Sequence, residues 1–437
     1  MSENPPSNPN ASPNSIHQSS SGAGPTASSA KVSNFRGNSA PRALVASYFD
    51  DEAIRVDIDG NPVRSRSSES FEAQVSRRPI DEKILLDEII EFCRGLRLPF
   101  KRVDIMRAIK LELLDRAEQR RVEILRPLCE APLSGAERVK AIEEFNRFAQ
   151  IIDMPPALSI AALRQFMWLF FRKQTRKSVH YPIMLFFFNE VQGSGKSWFI
   201  ERLLKPLHEL ASDPVPFSEI ADVRSTGLQK NGVVWVDDAG GAVPPKFLGA
   251  FKARISVASS KTRVLGQSRQ SRQENDAVFI ATTNVRLHRL IPDDTGHRRF
   301  VEMPFKNGAE EKGGSKEVWK LVEDLDYELM WKSVSEQSDA PIIPFLNELN
   351  AYQQGCVPPD PLEAWLSGLD FDRDAVRDVT SPYGITPNDL RALYRFDTGT
   401  ELSETAFGKA MNVLVEKGTT PVAKKRTAEG FFYNEKP

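Results

Sequence analysis

The sequence predicts a mixed α/β protein in which a helical region leads into a parallel-sheet domain and then into a small C-terminal unit. Three observations carry that reading. From Pro79 to Lys177 apolar residues recur at helical spacing, first as Leu85, Leu86, Ile89, Ile90 and Cys93, then as Val103, Met106, Ile109, Leu113 and Leu114. After Tyr181 the texture changes to short uninterrupted apolar runs, Ile183–Phe188, Val233–Val236 and Val278–Ala281, each followed by a polar or charged tip. Strands buried on both faces of a parallel sheet have that composition, and chemistry in such sheets gathers at the carboxyl tips. Near the end, Phe407, Met411, Leu414 and Val415 form one helical face behind Ser403. Lys424, Lys425 and Arg426 then lead to Gly430, Phe431, Phe432 and Tyr433, the pattern of a helix followed by a two-stranded wing.

Twenty of the first thirty residues are Ser, Pro, Asn or Gly, so residues 1–42 are expected to be a disordered tail. Residues 43–177 read as a helical collar or oligomerisation region. Pro127, Pro132 and the pair Pro155 and Pro156 interrupt it, and a last helix covers Ser159–Lys173. The sheet domain spans 178–338, an acidic linker 339–375 and the small unit 376–437.

Composition excludes several classes. At 437 residues, with net charge −1, 40% hydrophobic and 27% charged residues, the chain has the make-up of a soluble protein of two or three domains. Its longest apolar runs, Pro182–Phe188 and Phe166–Phe171, fall far below the ~18 residues of a membrane-spanning helix. The start lacks the basic and then apolar stretch of a secretory signal, so a cytoplasmic location without a membrane partner is expected. Cys93, Cys129 and Cys356 are too far apart for a CxxC metal site or a disulfide framework and read as reduced, buried thiols. Charge is segregated: residues 239–273 hold seven Lys or Arg and no acid, while 310–374 hold fifteen acids against five bases. A local basic element is enough to meet nucleic-acid phosphates whatever the total charge.

Gln192, Gly193, Ser194, Gly195, Lys196 and Ser197 follow the first strand and open an apolar helix, Trp198–Leu207. A phosphate-binding loop needs glycines so that backbone N–H groups converge on the anion, a lysine for the β- and γ-phosphates, and a hydroxyl for Mg²⁺. Gly193, Gly195, Lys196 and Ser197 fit those tasks, although Glu190 stands where the longer pattern has glycine. The second strand ends in Asp237 and Asp238. Two carboxylates at a buried strand tip are costly unless they meet a metal or a water, so Asp237 is expected to complete a Mg²⁺ shell with Ser197 and Asp238 to orient or deprotonate the attacking water. The third strand leads to Thr282, Thr283 and Asn284, whose amide can hold that water against the γ-phosphate. Past a turn, Arg298 and Arg299 offer the bidentate donors that phosphoryl transfer uses as charge develops.

In order, a strand, QGSGKS, a helix, VVWVDD, a basic segment, ATTN and DDTGHRRF resemble the superfamily 3 helicases, AAA+-type P-loop ATPases of viruses, phages and plasmids. The similarity covers roughly Tyr181–Phe305 and is greatest to the helicase part of phage and plasmid primase-helicases; TGHRRF is also similar to the virulence-associated protein E group. The resemblance implies a P-loop NTPase (AAA+-like) core preceded by a helical collar and followed by a winged-helix-like domain. It implies ATP and Mg²⁺ as cofactors, and a homo-hexameric ring in which Arg298 or Arg299 reaches the neighbouring subunit's nucleotide. It also implies an element between Asp238 and Asn284 that grips single-stranded DNA in the ring's channel.

The residues agree with such an element. Lys252, Arg254, Lys261, Arg263, Arg269 and Arg272, with Lys246, lie in the acid-free segment, as a phosphate-tracking loop requires. Ser259–Thr262 is expected to be a hairpin tip that presents Lys261. Few aromatics interleave these charges, so binding should be sequence-tolerant and weaken steeply with salt. Asp57 and Asp59 mimic a metal-binding pair, but too few residues surround them for a polymerase fold, so a separate primase or polymerase chain is the expected partner. The expectation is an ATP-dependent replicative helicase of a mobile element. An RNA-translocating ATPase and an ATP-switched origin-binding protein that never unwinds stand as alternatives.

Overall fold

The computed structural model describes residues 40–64, 79–130, 132–221, 227–240, 245–256, 259–263, 270–291, 297–307, 314–356, 360–418 and 420–436. Nearly all of the expected tail over 1–42 therefore lies outside the described residues. The chain divides into two compact units, 1–127 and 128–437, so the division falls inside the region expected as the collar.

In the first unit the helix Ala40–Asp51 leads into an antiparallel pair, β1 (Ile54–Val56) and β2 (Pro62–Arg64). Asp57 builds their turn, its Oδ1 accepting from the Asp59 and Asn61 N–H groups at 3.0 and 2.8 Å, so this carboxylate is engaged in turn formation. The helix Glu82–Gly95, capped by Asp81, and the helix Arg102–Cys129 complete the unit. Leu44, Phe49, Leu85, Ile89, Ile105 and Ile109 form its core. Along the last helix Ile105, Ala108, Ile109, Leu113, Ile124 and Leu128 are buried, whereas Val103, Met106 and Leu114, expected on the same face as Ile109 and Leu113, are exposed. A four-residue step keeps one narrow stripe inward and turns the other apolar positions away.

The second unit opens with the helix Gly135–Gln150, whose start is fixed by a capping box between Ser134 and Glu137, and the almost fully buried helix Pro156–Gln174. Its strands in chain order are β3 (Met184–Phe188), β4 (Val233–Val236), the antiparallel pair β5 (Ser259–Arg263) and β6 (Gln270–Glu274), β7 (Val278–Thr283) and β8 (Phe300–Pro304). The main sheet is parallel, in the order β4, β7, β3, β8. Parallel bridges at Ala211 and Val215 extend it beyond β4. The strand leading to Asn284 thus lies between the strand preceding the phosphate loop and the strand ending in Asp237. All five residues of β3 are buried, as two covered faces demand.

The β5–β6 pair corrects one expectation. Ser259–Thr262 lies within a strand, with Lys261 opposite Arg272, and not at a hairpin tip; the connection, residues 264–269, lies outside the described residues, as does Arg269.

The stretch 339–375 carries the helices Leu346–Gly355 and Pro361–Ser367. The first packs on the sheet, Tyr352 OH donating to the Glu302 carbonyl and Gln353 Nε2 to that of Phe300. The second joins the C-terminal core through Leu362 and Leu366. That core also holds the helices Pro387–Thr398 and Glu404–Lys417, and a small antiparallel sheet. Its strands are β9 (Thr380–Ser381), β10 (Gly384–Ile385), β11 (Val422–Thr427) and β12 (Gly430–Glu435), ordered β11, β12, β10, β9. Ser403 caps the second helix as expected, accepting from the Ala406 N–H.

Cys93 is buried as expected. Cys356 is only half-buried, and Cys129, at the end of its helix, is exposed. No helix among the described residues is long and apolar enough to cross a membrane.

Candidate active site

The parallel strands end at one edge of the sheet, and that is where the motifs meet. β3 runs into a loop whose Gly193 and Gly195 have φ of 77° and 91°, a left-handed conformation that glycine adopts without strain. Gly195 leads directly into the helix Lys196–Leu204, so the helix N-terminus and its unpaired N–H groups face the loop. A pocket of about 310 Å³ opens there. It is lined by all six residues Gln192–Ser197, and by Trp198, Asp237, Asp238, Thr282, Asn284 and Trp319.

Lys196 is 6% exposed. Its Nζ donates to Asn284 Oδ1 at 2.7 Å, to Ser194 Oγ at 3.1 Å and to the Asn189 carbonyl at 3.2 Å. Burial holds this ammonium below the ordinary lysine range, and the nearby Asp238 and Asp237 oppose that shift. Ser197 Oγ donates to Asp237 Oδ1 at 2.6 Å. Asn284 spans the site: its Oδ1 takes the Lys196 proton donor and its Nδ2 donates to Asp238 Oδ1 at 3.2 Å. The tips of β4 and β7 and the phosphate loop that follows β3 are therefore joined by direct side-chain hydrogen bonds.

Several residues here have no role in the motif reading. Thr282 Oγ1 donates to Asp237 Oδ1 at 2.6 Å and accepts from the Asp238 N–H at 2.9 Å. It thereby orients one carboxylate and fixes the residue carrying the other, which sits at φ 50°. Asn189 and Asn307 brace the loop from behind. Asn189 Oδ1 accepts from the Val191 N–H at 2.8 Å, and the buried Asn307 donates from Nδ2 to the Ser194 carbonyl at 2.9 Å. A polar residue just beyond a strand is the only signal that Thr282 and Asn189 gave; Asn307 and Trp319 gave none. Glu190 is exposed, with the Arg286 Nε 4.0 Å away, and Arg286 also pairs with the buried Glu302.

The other expected residues fall elsewhere. Of residues 293–300, only 297–300 are described. Arg298 and Arg299 precede β8, whose first residue, Phe300, lies opposite Met184, the first residue of β3. They therefore stand at the sheet edge opposite the phosphate loop, a strand length of about 13 Å away, and neither lines the pocket. Lys252 is near them: burial first, and then Arg299 and Arg298, hold its ammonium below the ordinary range. Arg254 is a correction. It is buried, and its Nη1 donates to the Ile220 carbonyl at 2.8 Å, which satisfies the end of the helix Phe217–Ala221 and withdraws the guanidinium from any polynucleotide. Lys261, Arg263 and Arg272 lie on β5 and β6, but their side chains are outside the described residues.

The arrangement can hold a polyphosphate: a positive loop, a buried ammonium and a helix N-terminus converge, and carboxylates lie beside them. Ser197 and Asp237 form a hydroxyl and carboxylate pair of the kind that fits Mg²⁺. Among the described residues no cluster of three or more His, Cys, Asp or Glu could hold a metal alone; water and phosphate oxygens are the further ligands that Mg²⁺ ordinarily takes beside one or two protein oxygens.

Residues 138–326 match the virulence-associated protein E-like domain family. The match encloses the phosphate loop, both acidic and amide strand tips and TGHRRF, so the resemblance to this group holds. Among solved structures, the chain is similar to the apo C-terminal region of NrS-1, at 12% identity and TM-score 0.48, covering 90% of this chain and 98% of that one. An A-form apo structure of the same NrS-1 region is similar at 12% identity and TM-score 0.48, covering 91% and 98%. A JCV helicase with a bound thiazolopyridine compound is similar at 10% identity and TM-score 0.29, covering 74% of this chain and 96% of that one. No curated protein sequence matches.

Proposed function

We propose that this chain is an ATP-dependent, ring-forming replicative helicase that translocates on single-stranded DNA for a phage, plasmid or other mobile element. The observation that carries the reading is the convergence of Lys196, Ser197, Asp237 and Asn284 on one pocket. Its core is a P-loop NTPase, and its C-terminal arrangement of helices with a β11–β12 hairpin is winged-helix-like.

The chemistry is in-line attack of water on the γ-phosphate. Lys196 neutralises charge on the β- and γ-phosphates, for which it must exchange its present contact with Asn284. Asn284 and Asp238, already hydrogen-bonded to each other, orient the water, and Asp238 accepts its proton. Ser197 and Asp237 would hold Mg²⁺, which when bound withdraws charge from the phosphate oxygens. Arg298 and Arg299 stand too far from their own pocket to serve it, which supports a role for one of them at the nucleotide of the next subunit in a hexamer. Lys252, Lys261, Arg263, Arg269 and Arg272 supply the cationic track for DNA.

The test is ATP hydrolysis with and without polynucleotides, together with unwinding of tailed duplexes and mass in the presence of ATP and single-stranded DNA. Stimulation by single-stranded DNA, tail-dependent unwinding and a ring-sized particle are expected. Selective stimulation by RNA would replace DNA as the track, and slow hydrolysis indifferent to any polynucleotide would replace the motor with an assembly switch.

A further inference from the structure

The pocket lining combines polar groups with two indoles. Lys196, Asp237, Asp238 and Asn284 supply its charged and hydrogen-bonding groups. Among the described residues, the aromatic residues of its lining are Trp198, on the first turn of the phosphate-loop helix, and Trp319, from the helix Lys316–Asp324.

Trp319 is built into place. Its ring lies so close to Gly195 that a Cβ there would stand 2.8 Å from Cη2. It packs on Trp198 with centroids 5.1 Å apart and planes tilted by 52°, and the Arg202 guanidinium covers Trp198 at 4.3 Å from the ring centroid. A clasp holds its helix against the phosphate loop. The Asn307 side chain donates to the Ser194 carbonyl at 2.9 Å and accepts from the Ser315 N–H at 2.7 Å, immediately before that helix begins. One buried side chain thus ties the element carrying Trp319 to the loop that meets phosphate.

We infer that Trp319 is the stacking wall for the base of the bound nucleotide, with Asn307 as the residue that positions it. The inference rests on the nucleotide reading of the same pocket and adds what recognises the base. With the γ-phosphate at the carboxylates, the two indoles are the surfaces in the described lining on which a base can stack. An indole face stacks on any base, more strongly on the larger rings, so recognition favours purines over pyrimidines by ring area.

The experiment is competition against a fluorescent ATP analogue on the full chain, with ATP, CTP and tripolyphosphate as competitors in the presence of Mg²⁺. Tripolyphosphate presents the phosphates without a base and reports the loop alone. In Trp319→Leu, affinity for ATP is expected to fall on the order of tenfold, that for CTP to fall less, and that for tripolyphosphate to stay unchanged. Trp319→Phe is expected to recover most of the loss for ATP. Unchanged affinity for ATP in Trp319→Leu would overturn the inference. So would equal losses for ATP and tripolyphosphate in both variants, since Trp319 would then only prop the loop. If the wild-type chain bound neither competitor, the nucleotide reading itself would fall, and this inference with it.

Discussion

The hydroxyl of Thr282 offers a sharp test of how the strand tips act together. The side chain is 2% exposed, and valine has its shape without the oxygen, so Thr282→Val removes two hydrogen bonds while keeping the methyl packing. The Asp238 N–H loses the acceptor that holds it at 2.9 Å, and an unsatisfied buried donor costs about 1–3 kcal/mol. Asp237 Oδ1 loses one of two donors, and because Ser197 Oγ still donates to it at 2.6 Å, the further loss is small. Together we expect about 2 kcal/mol, a fall in the unfolding midpoint of about 3 °C for a unit as large as 128–437. The carboxylate then samples other orientations, so kcat for ATP hydrolysis falls about tenfold. KM stays within about twofold, since the loop donors that bind phosphate are untouched. Thr282→Ser, which keeps the hydroxyl, restores kcat. Steady-state phosphate release with a thermal melt measures both quantities. An unchanged kcat in Thr282→Val, or the same kcat loss in Thr282→Ser, would refute the claim that this hydroxyl orients Asp237 and Asp238.

Three further outcomes are expected. Lys196→Ala removes the only ammonium that the described residues bring to the pocket lining and lowers hydrolysis about a hundredfold or more, measured by phosphate release. Subunits carrying Arg298→Ala or Arg299→Ala, mixed with Lys196→Ala subunits, regain part of the activity that each lacks alone, because one contributes an intact pocket and the other an intact arginine; no recovery from either mixture argues against a shared site. Lys173 gives a pH signature. Burial lowers its ammonium from 10.5 to about 8, against the pull of Asp276. Between those values the folded state binds fewer protons than the unfolded chain, so this residue's contribution to stability rises with pH, by about 1.4 kcal/mol per unit. The stability difference between wild type and Lys173→Met, measured by denaturant unfolding, therefore grows by about 2 kcal/mol from pH 7.5 to 9.5, and a flat difference would refute the assignment.

What could be read in advance follows a physical division. β3, β4 and β7 were visible because strands covered on both faces must be apolar throughout. β8 was not, because Glu302 interrupts it, and only the fold reveals that this buried carboxylate is met by Arg286 and by the Leu287 N–H at 2.8 and 2.7 Å. The phosphate loop, Asp237 and Asn284 were visible because their chemistry is local: glycines free the backbone, and a polar residue at a buried tip is costly unless used. Arg254 shows the reverse, a charge counted toward a basic track that the fold spends on helix carbonyls. Asn307 and Trp319 acquire meaning only through contact with Ser194 and Gly195, more than a hundred residues earlier in the chain. A motif therefore names the groups that meet phosphate, whereas the residues that aim those groups are chosen by the sheet that brings distant segments together. This is why Trp319 lies outside the strings that first marked the site, and why Thr282, though inside ATTN, gains a role only from its contacts with Asp237 and Asp238.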